Sequence, residues 1–434
     1  MSTFERNAAA AEQAGEAPFA VVDLATSEPA RPMLAGKAHA PWGEVILLAS
    51  LSLFGSVAMD MYLPALPAMT ADLKATAQGA QATISVFLFG LAFGQLVFGP
   101  LSDRLGRRPP ILGGVALFLV ASGLCMIATN AGFLIAARLL QALGACAGMV
   151  VARAVVRDRY DDHEVLHVFA LLSLVFAVGP VLAPLIGGWL LTVTSWRWIF
   201  GVEAAFGLVV GVVAFIKLPE SRSEVTRLQA VGERTLASYL ALLREPLLVG
   251  YLLTGALSGA ALFSYITAAP RVVMGELHIP AEHFGWVFGA NAIGLIGAGQ
   301  VNARLARRIP SDTLLQGALI GALAAGGVLM VCAYTGFGGM WGLLVPLFVV
   351  LSALGFSQPN SSTSAMSVDR TRAGATSALL GAGFFGVGSL AGLVTSLVPG
   401  TASQAMAVAI TGSLVLSLAA YRGLVVPQRR QRVS

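Results

Sequence analysis

Residues 94–110 read GQLVFGPLSDRLGRRPP, and residues 294–310 read GLIGAGQVNARLARRIP. Aligned without a gap, the two stretches share Gly94/Gly294, Gly99/Gly299, Arg104/Arg304, Leu105/Leu305, Arg107/Arg307, Arg108/Arg308 and Pro110/Pro310. Each copy closes an apolar run with an arginine-rich turn, and its proline opens the next run. A repeat at this separation divides the chain into two equivalent parts.

The composition says where those parts reside. Of the 434 residues 56% are hydrophobic and only 11% charged, and mean hydropathy is +0.79. A soluble domain carries about 25% charge, so the chain is read as a polytopic membrane protein. Apolar runs long enough to span a bilayer are predicted at 43–69, 79–101, 109–129, 131–153, 165–191, 197–217, 245–269, 284–303, 312–333, 340–364, 372–397 and 402–422. The predicted organisation is a disordered cytoplasmic tail at 1–42, a six-helix half at 43–217, a central cytoplasmic loop at 218–244, a second six-helix half at 245–422 and a cytoplasmic tail at 423–434. The first forty residues lack a basic region leading into an apolar core, so they do not read as a signal peptide.

With the N-terminus inside, only Lys74, Arg197 and Arg271 fall on outer segments and Arg138 falls within the membrane. The rest of the 27 Lys and Arg lie on inner segments. That asymmetry places both termini in the cytoplasm. It also explains the net charge of +5 as topology, with no nucleic-acid partner implied. Both repeat copies occupy the loop after the second helix of their half, the parallel-repeat plan of an alternating-access carrier.

Of the 22 acids, all but Asp60 and Glu203 lie in tails, loops or helix ends, Glu44 among the latter, which makes these two the candidate proton sites. Asp60 stands in FGSVAMDMYLPALPAM (54–69). Pro64 has no N–H for the carbonyl of Asp60, and Pro67 none for that of Leu63. The segment therefore reads as a polar notch at the broken outer end of the first helix. Arg138, about seven residues or roughly 10 Å into the fourth helix, lies at a similar depth, so an approach of Arg138 to Asp60 would couple the two. Tyr62, Gln141, Gln358 and Asn360 offer hydrogen bonds to a ligand or, equally, between helices.

The first repeat copy, with Gly99, Asp103, Arg104, Gly106, Arg107 and Arg108, resembles the loop signature of the major facilitator superfamily. In that family the aspartate latches the halves through the N-terminus of the eleventh helix, so Asp103 is expected to face the helix start near Ala373. The second copy has Ala303 in place of the acid, so one such latch is expected. Arg138, Gln141 and Gly144 resemble the family's R-x-x-Q-G-x-G motif, with Ala142 replacing a glycine. Gly179, Pro180, Pro184, Gly187 and Gly188 resemble the antiporter motif in the longer form typical of the Bcr/CflA group of drug-resistance exporters. That likeness implies export in preference to uptake, and bicyclomycin- or chloramphenicol-like substrates.

Two other motifs compete. His163, Glu164 and His167 fit H-E-x-x-H, the zinc site of metalloproteases, but lie in a loop beside Asp161 and Asp162 with no third ligand to name. Gly381, Gly383 and Gly386 match G-x-G-x-x-G by letters, yet no strand precedes them, so they read as helix packing.

The expectation is an all-α polytopic membrane protein of major facilitator fold, with 12 transmembrane helices in two pseudo-symmetric six-helix halves. Helices 1, 4, 5, 7, 8, 10 and 11 would line one central cavity. The function expected is proton-coupled efflux of a small-molecule drug or metabolite across the bacterial inner membrane by alternating access. A proton-coupled symporter for a small polar nutrient is the alternative, and a membrane zinc protease the distant one. Protons, the small molecule and the lipid bilayer are the expected partners of a monomer without cofactor or metal.

Overall fold

The computed structural model of the chain describes residues 42–224, 226–228 and 235–433. The expected N-terminal tail lies outside these residues except for Trp42, which opens the first helix. Twelve long helices follow: α1 (Trp42–Asp60), α2 (Ala77–Leu105), α3 (Arg108–Met126), α4 (Ala131–Arg159), α5 (Asp162–Val193), α6 (Arg197–Lys217), α7 (Pro246–Pro270), α8 (Ala281–Leu305), α9 (Ser311–Thr335), α10 (Gly339–Val368), α11 (Ala373–Leu397) and α12 (Ala402–Ala420). Among the described residues, eleven segments are long and apolar enough to cross a membrane. α5, whose side chains are described only in part, is the twelfth long helix. The central connection carries a short helix, Thr235–Leu242, and the segment expected as a C-terminal tail continues as a helix, Val426–Val433.

Helix pairing repeats at an interval of six. In the first half α1 packs on α4, α5 and α6, α2 on α4, and α3 on α4 and α6. In the second half α7 packs on α10, α11 and α12, α8 on α10, and α9 on α10 and α12. The halves meet through α2 with α11 and α5 with α8, and adding six to one pair yields the other. The pseudo-twofold arrangement anticipated from the repeat is therefore present in the packing.

The face where α1 begins and α12 ends is called proximal here, its opposite distal. Three distal helix starts, those of α2, α4 and α12, are capped by side chains: Thr76 accepts from the Gly79 N–H at 3.0 Å, and Asn130 from that of Phe133 at 2.9 Å. Thr401 and Gln404 form a reciprocal capping box on α12. These caps satisfy N–H groups that the helices cannot pair themselves.

The first helix breaks where the prolines predict, but with a different hydrogen-bond outcome. α1 ends at Asp60, and a single 3-10 turn, Leu63–Ala65, leads into a short helix, Leu66–Asp72. The Leu63 carbonyl, expected to be free, accepts from the Leu66 N–H. The tighter turn moves the donor back by one residue, so Pro67 costs this acceptor nothing.

Candidate functional site

The polar core of the first half is built around Arg138, which is fully buried. Its Nη1 donates to the Ala58 carbonyl at 2.8 Å and to Gln141 Oε1 at 2.7 Å. The guanidinium carbon lies 4.2 Å from the ring centre of Phe87 and 4.7 Å from that of Tyr62. Nε and Nη2 find no hydrogen-bond partner among the described residues. The ring faces supply part of the stabilisation that an intramembrane cation needs.

Gln141 carries the interaction onward. Its Nε2 donates to Glu203 Oε2 and to Ser122 Oγ, both at 2.7 Å. A guanidinium demands the amide oxygen and a carboxylate the amide nitrogen, so the two ends of Gln141 are fixed by chemistry. Arg138, Gln141 and Glu203 thus form a relay from α4 to α6, closed inside the first half. Glu203 is fully buried, and its Oε1 has no hydrogen-bond partner among the described residues.

Asp60 stands apart from that relay. The buried carboxylate accepts from Ser56 Oγ at 2.6 Å, and among the described residues no ion pair joins it to Arg138. The guanidinium reaches α1 at the Ala58 carbonyl, so the expected approach is to the backbone of α1 and not to its acid. Two helices can place groups at equal depth while turning them to different sides. The 3-10 turn that follows Asp60 instead packs on α7 and α8 of the other half, where Tyr265 of α7 is buried. The Tyr265 hydroxyl accepts from Asn291 Nδ2 of α8 at 3.1 Å.

The glycines of α5 lie against this part of α1. A methyl group at Gly187 would overlap the Met61 carbonyl oxygen, and one at Gly179 would stand 2.9 Å from Ser56 Oγ. Gly188 faces the other way, where a methyl would come within 2.6 Å of the Ala281 carbonyl at the start of α8. Pro180 and Pro184 lie inside the same helix. α5 is therefore wedged between the break in α1 and the opposite half.

Other expected ligand-binding residues make bonds between helices. Tyr62 is buried with its hydroxyl 3.0 Å from Thr83 Oγ1. Gln358 donates to the Gly255 carbonyl at 2.7 Å, and buried Asn360 donates to Asn302 Oδ1 at 2.6 Å. Two of the described cavities lie toward the two faces. A distal one of about 890 Å³ lies among the ends of α1 and α7, the start of α2 and the turn before α12. A proximal one of about 370 Å³ lies between α2, α4 and the start of α11. None of these three residues, nor Gln141, Asp60, Arg138 or Glu203, lines either cavity.

At the proximal face, Asp103 is bound by Arg107 and Arg222, each at 2.8 Å. Arg107 also pairs with Asp158 at 2.6 Å. Asp103 shares the proximal cavity with the first turn of α11, and its ion pairs are with these two arginines. Arg108 donates to the Phe215 carbonyl. Gly106 takes a φ of 93°, in the left-handed region open to glycine. Around it the Glu220 carboxylate accepts from the main-chain N–H groups of Arg107, Arg108 and Arg222. Three such donors, with the Arg227 charge, hold the Glu220 carboxyl below its ordinary range against the opposing effect of burial. Sequence reasoning missed Glu220 and Asp158 because only the path of the connecting loops brings them to the turn.

The profile of the Major Facilitator Superfamily matches residues 48–422. The chain belongs to the major facilitator superfamily. It is thus a multi-pass membrane transporter and not an enzyme, which removes the zinc-protease alternative; the side chains of His163 and His167 lie outside those described. Over 378 residues this facilitator is 29% identical to the bicyclomycin resistance protein homolog of Haemophilus influenzae, covering 87% of this chain and 94% of that one. It is 32% identical over 371 residues to multidrug resistance protein D of Escherichia coli K12, covering 81% and 87%. A crystal structure of a D-xylose-proton symporter superposes with a TM-score of 0.70 at 12% identity, covering 87% of this chain and 97% of the other. That likeness is one of fold.

Proposed function

We propose that this facilitator exports small, largely apolar drugs or metabolites from the bacterial cytoplasm in exchange for protons, with both termini cytoplasmic. The relatives named for drug resistance support the export reading, and the asymmetry of Lys and Arg supports the orientation. The observation that carries the mechanism is the placement of buried Asp60 at the end of α1, in the stretch from Ser56 to Met61 on which Gly179 and Gly187 of α5 pack, just before the 3-10 turn that contacts α7 of the other half.

In this reading Asp60 is the exchanged proton site. Its charge state alters what the break in α1 presents to α7, and α1 and α7 belong to different halves. A change there shifts the balance between the two arrangements of the halves. The Arg138–Gln141–Glu203 relay has a different task. It anchors α4 and α6 to the α1 backbone at Ala58, so that α1 hinges beyond a fixed point. Glu203 is a second acid that stays with its half.

Proteoliposomes with an imposed inward proton gradient test this. Bicyclomycin, named for the Haemophilus influenzae relative, is the first substrate to try, followed by other apolar antibiotics. Gradient-driven substrate counterflow is expected in the native chain, and Asp60→Asn should retain substrate exchange without a gradient while losing the response to one. Full gradient-driven export by Asp60→Asn would remove Asp60 from the proton role.

A further inference from the structure

The proximal arginines fall into two groups. Some are spent: Arg107 on Asp103 and Asp158, Arg222 on Asp103, and Arg159 on Glu44. Arg153 and Arg157 differ. They stand four residues apart on α4, hence on one side of the helix, and both line the 370 Å³ cavity. Among the described residues neither makes an ion pair or a side-chain hydrogen bond. Arg153 lies six residues inside the end of α4, so it projects into the space between the halves and not from the rim.

The opposite wall is electropositive as well. α11 begins there, with Gly374 and Ala375 lining the cavity and no side chain capping its first turn. Unpaired N–H groups and the helix dipole favour an anion at such an end. Arg372 precedes the helix; its guanidinium has a 3.5 Å contact with Asp369, whose Oδ1 also accepts from the Arg372 N–H at 3.3 Å. The acid lining this cavity, Asp103, is already engaged by Arg107 and Arg222.

A further, independent feature lies at the membrane end of the cavity. Gln95 is only 7% exposed, lines the cavity and makes no hydrogen bond among the described residues. Its amide carbon and oxygen pack against Gly381 of α11, about two turns in from the helix start, so the side chain crosses the seam between the halves at the inner end of the cavity. Membrane topology accounts for arginines at this face. It does not account for two arginines on one helix side, without ion-pair partners among the described residues, opposite an uncapped helix, in a cavity whose inner end holds a largely buried amide that makes no hydrogen bond.

We propose that this cavity is a binding site for an oxyanion, a carboxylate or phosphate group held by Arg153 and Arg157, with the first turn of α11 and the Gln95 amide completing its shell. Guanidinium groups suit such anions because their N–H forks match paired oxygens. The volume falls within the range of about 300–1,000 Å³ usual for small-molecule pockets. The group belongs either to a soluble small anion or to the headgroup of an anionic lipid from the proximal leaflet. This site is additional to the exporter reading and does not depend on the identity of the exported molecule.

Calorimetric titration of the purified full chain with inorganic phosphate, at constant ionic strength in a non-ionic detergent, tests the site. Saturable binding is expected, weakened at least tenfold in Arg153→Gln/Arg157→Gln and unchanged in Arg422→Gln, which removes an arginine outside the cavity. Gln95→Leu, which leaves every charge in place, should weaken it several-fold and covers the case in which the double variant does not fold. A repeat in nanodiscs of phosphatidylcholine, with and without phosphatidylglycerol, identifies the source. Loss of phosphate binding only in the anionic discs assigns the site to a lipid headgroup, and retention in both assigns it to a soluble anion. Absence of saturable binding by the native chain in detergent and in phosphatidylcholine discs overturns the proposal, as does equal affinity in the native chain and the folded variants.

Discussion

Gly187 of α5 is seated on the carbonyl of Met61, one residue past the acid that ends α1. The contact is backbone to backbone, so no side-chain rotation can relieve an added methyl group. Gly187→Ala should therefore displace the α1 break or part α5 from it, at an overpacking cost of about 1–3 kcal/mol. Gly113→Ala, at a site with nothing within 4 Å of the added carbon, is the control. Cys125, Cys146 and Cys332 are all buried, so a thiol-reactive fluorescent dye reports unfolding directly. A lowered midpoint and lost transport are expected for Gly187→Ala, with neither change for Gly113→Ala.

The Arg138–Gln141–Glu203 relay makes a prediction about charge. Gln141→Leu removes an acceptor from a buried guanidinium and a donor from a buried carboxylate. Leaving a buried charge without its partner costs about 3–5 kcal/mol. The loss should be partly relieved in Gln141→Leu/Glu203→Gln, because the second change removes one of the stranded charges. A double-mutant cycle on thermal midpoints measures that coupling. Additive effects would show that Gln141 acts through packing alone.

The helices, their order and the doubled architecture were legible in the sequence because membrane spans and internal repeats leave signals in single stretches of chain. The α5 glycines and the α1 prolines were legible for the same reason. What escaped depended on azimuth. Counting residues placed Asp60 and Arg138 at one depth, but Asp60 accepts from Ser56 of its own helix while Arg138 meets the Ala58 carbonyl. The partners of Asp103 escaped because Arg222 sits in a loop after α6, whose path no periodicity encodes. Arg153 and Arg157 were absorbed into the count of inner charges, although their spacing of four put them on one helix side.

Glu220 gives the proximal turn a pH dependence whose sign is fixed. Its carboxyl is held below the ordinary glutamate value of about 4.3, so the folded state favours the charged form. The stabilisation is fully present above that value and is lost as pH falls through the lower folded-state value. The thermal midpoint of Glu220→Gln should lie a few degrees below that of the native chain at pH 7. The gap should narrow as the pH is lowered below about 4. A gap that is the same across this range would mean that Glu220 holds the Gly106 turn by shape and not by charge.

Where α2 meets α11 on the distal side, Ser389 Oγ donates to the Ser85 carbonyl at 2.7 Å. A carbon added at Gly392 would stand 2.8 Å from Ser85 Oγ. That separation is close to the Cβ to sulfur spacing across a disulfide, in which Cβ atoms lie about 3.8 Å apart. Ser85→Cys/Gly392→Cys should therefore crosslink under mild oxidation, and the buried native cysteines offer no competing thiol at this seam. Alternating access requires α2 and α11 to separate here when the distal side opens. Oxidised protein should lose transport in proteoliposomes and regain it on reduction, while either single variant remains insensitive to oxidant. A crosslinked carrier that still transports would show that this seam stays closed throughout the cycle, and would move the distal opening to α5 and α8.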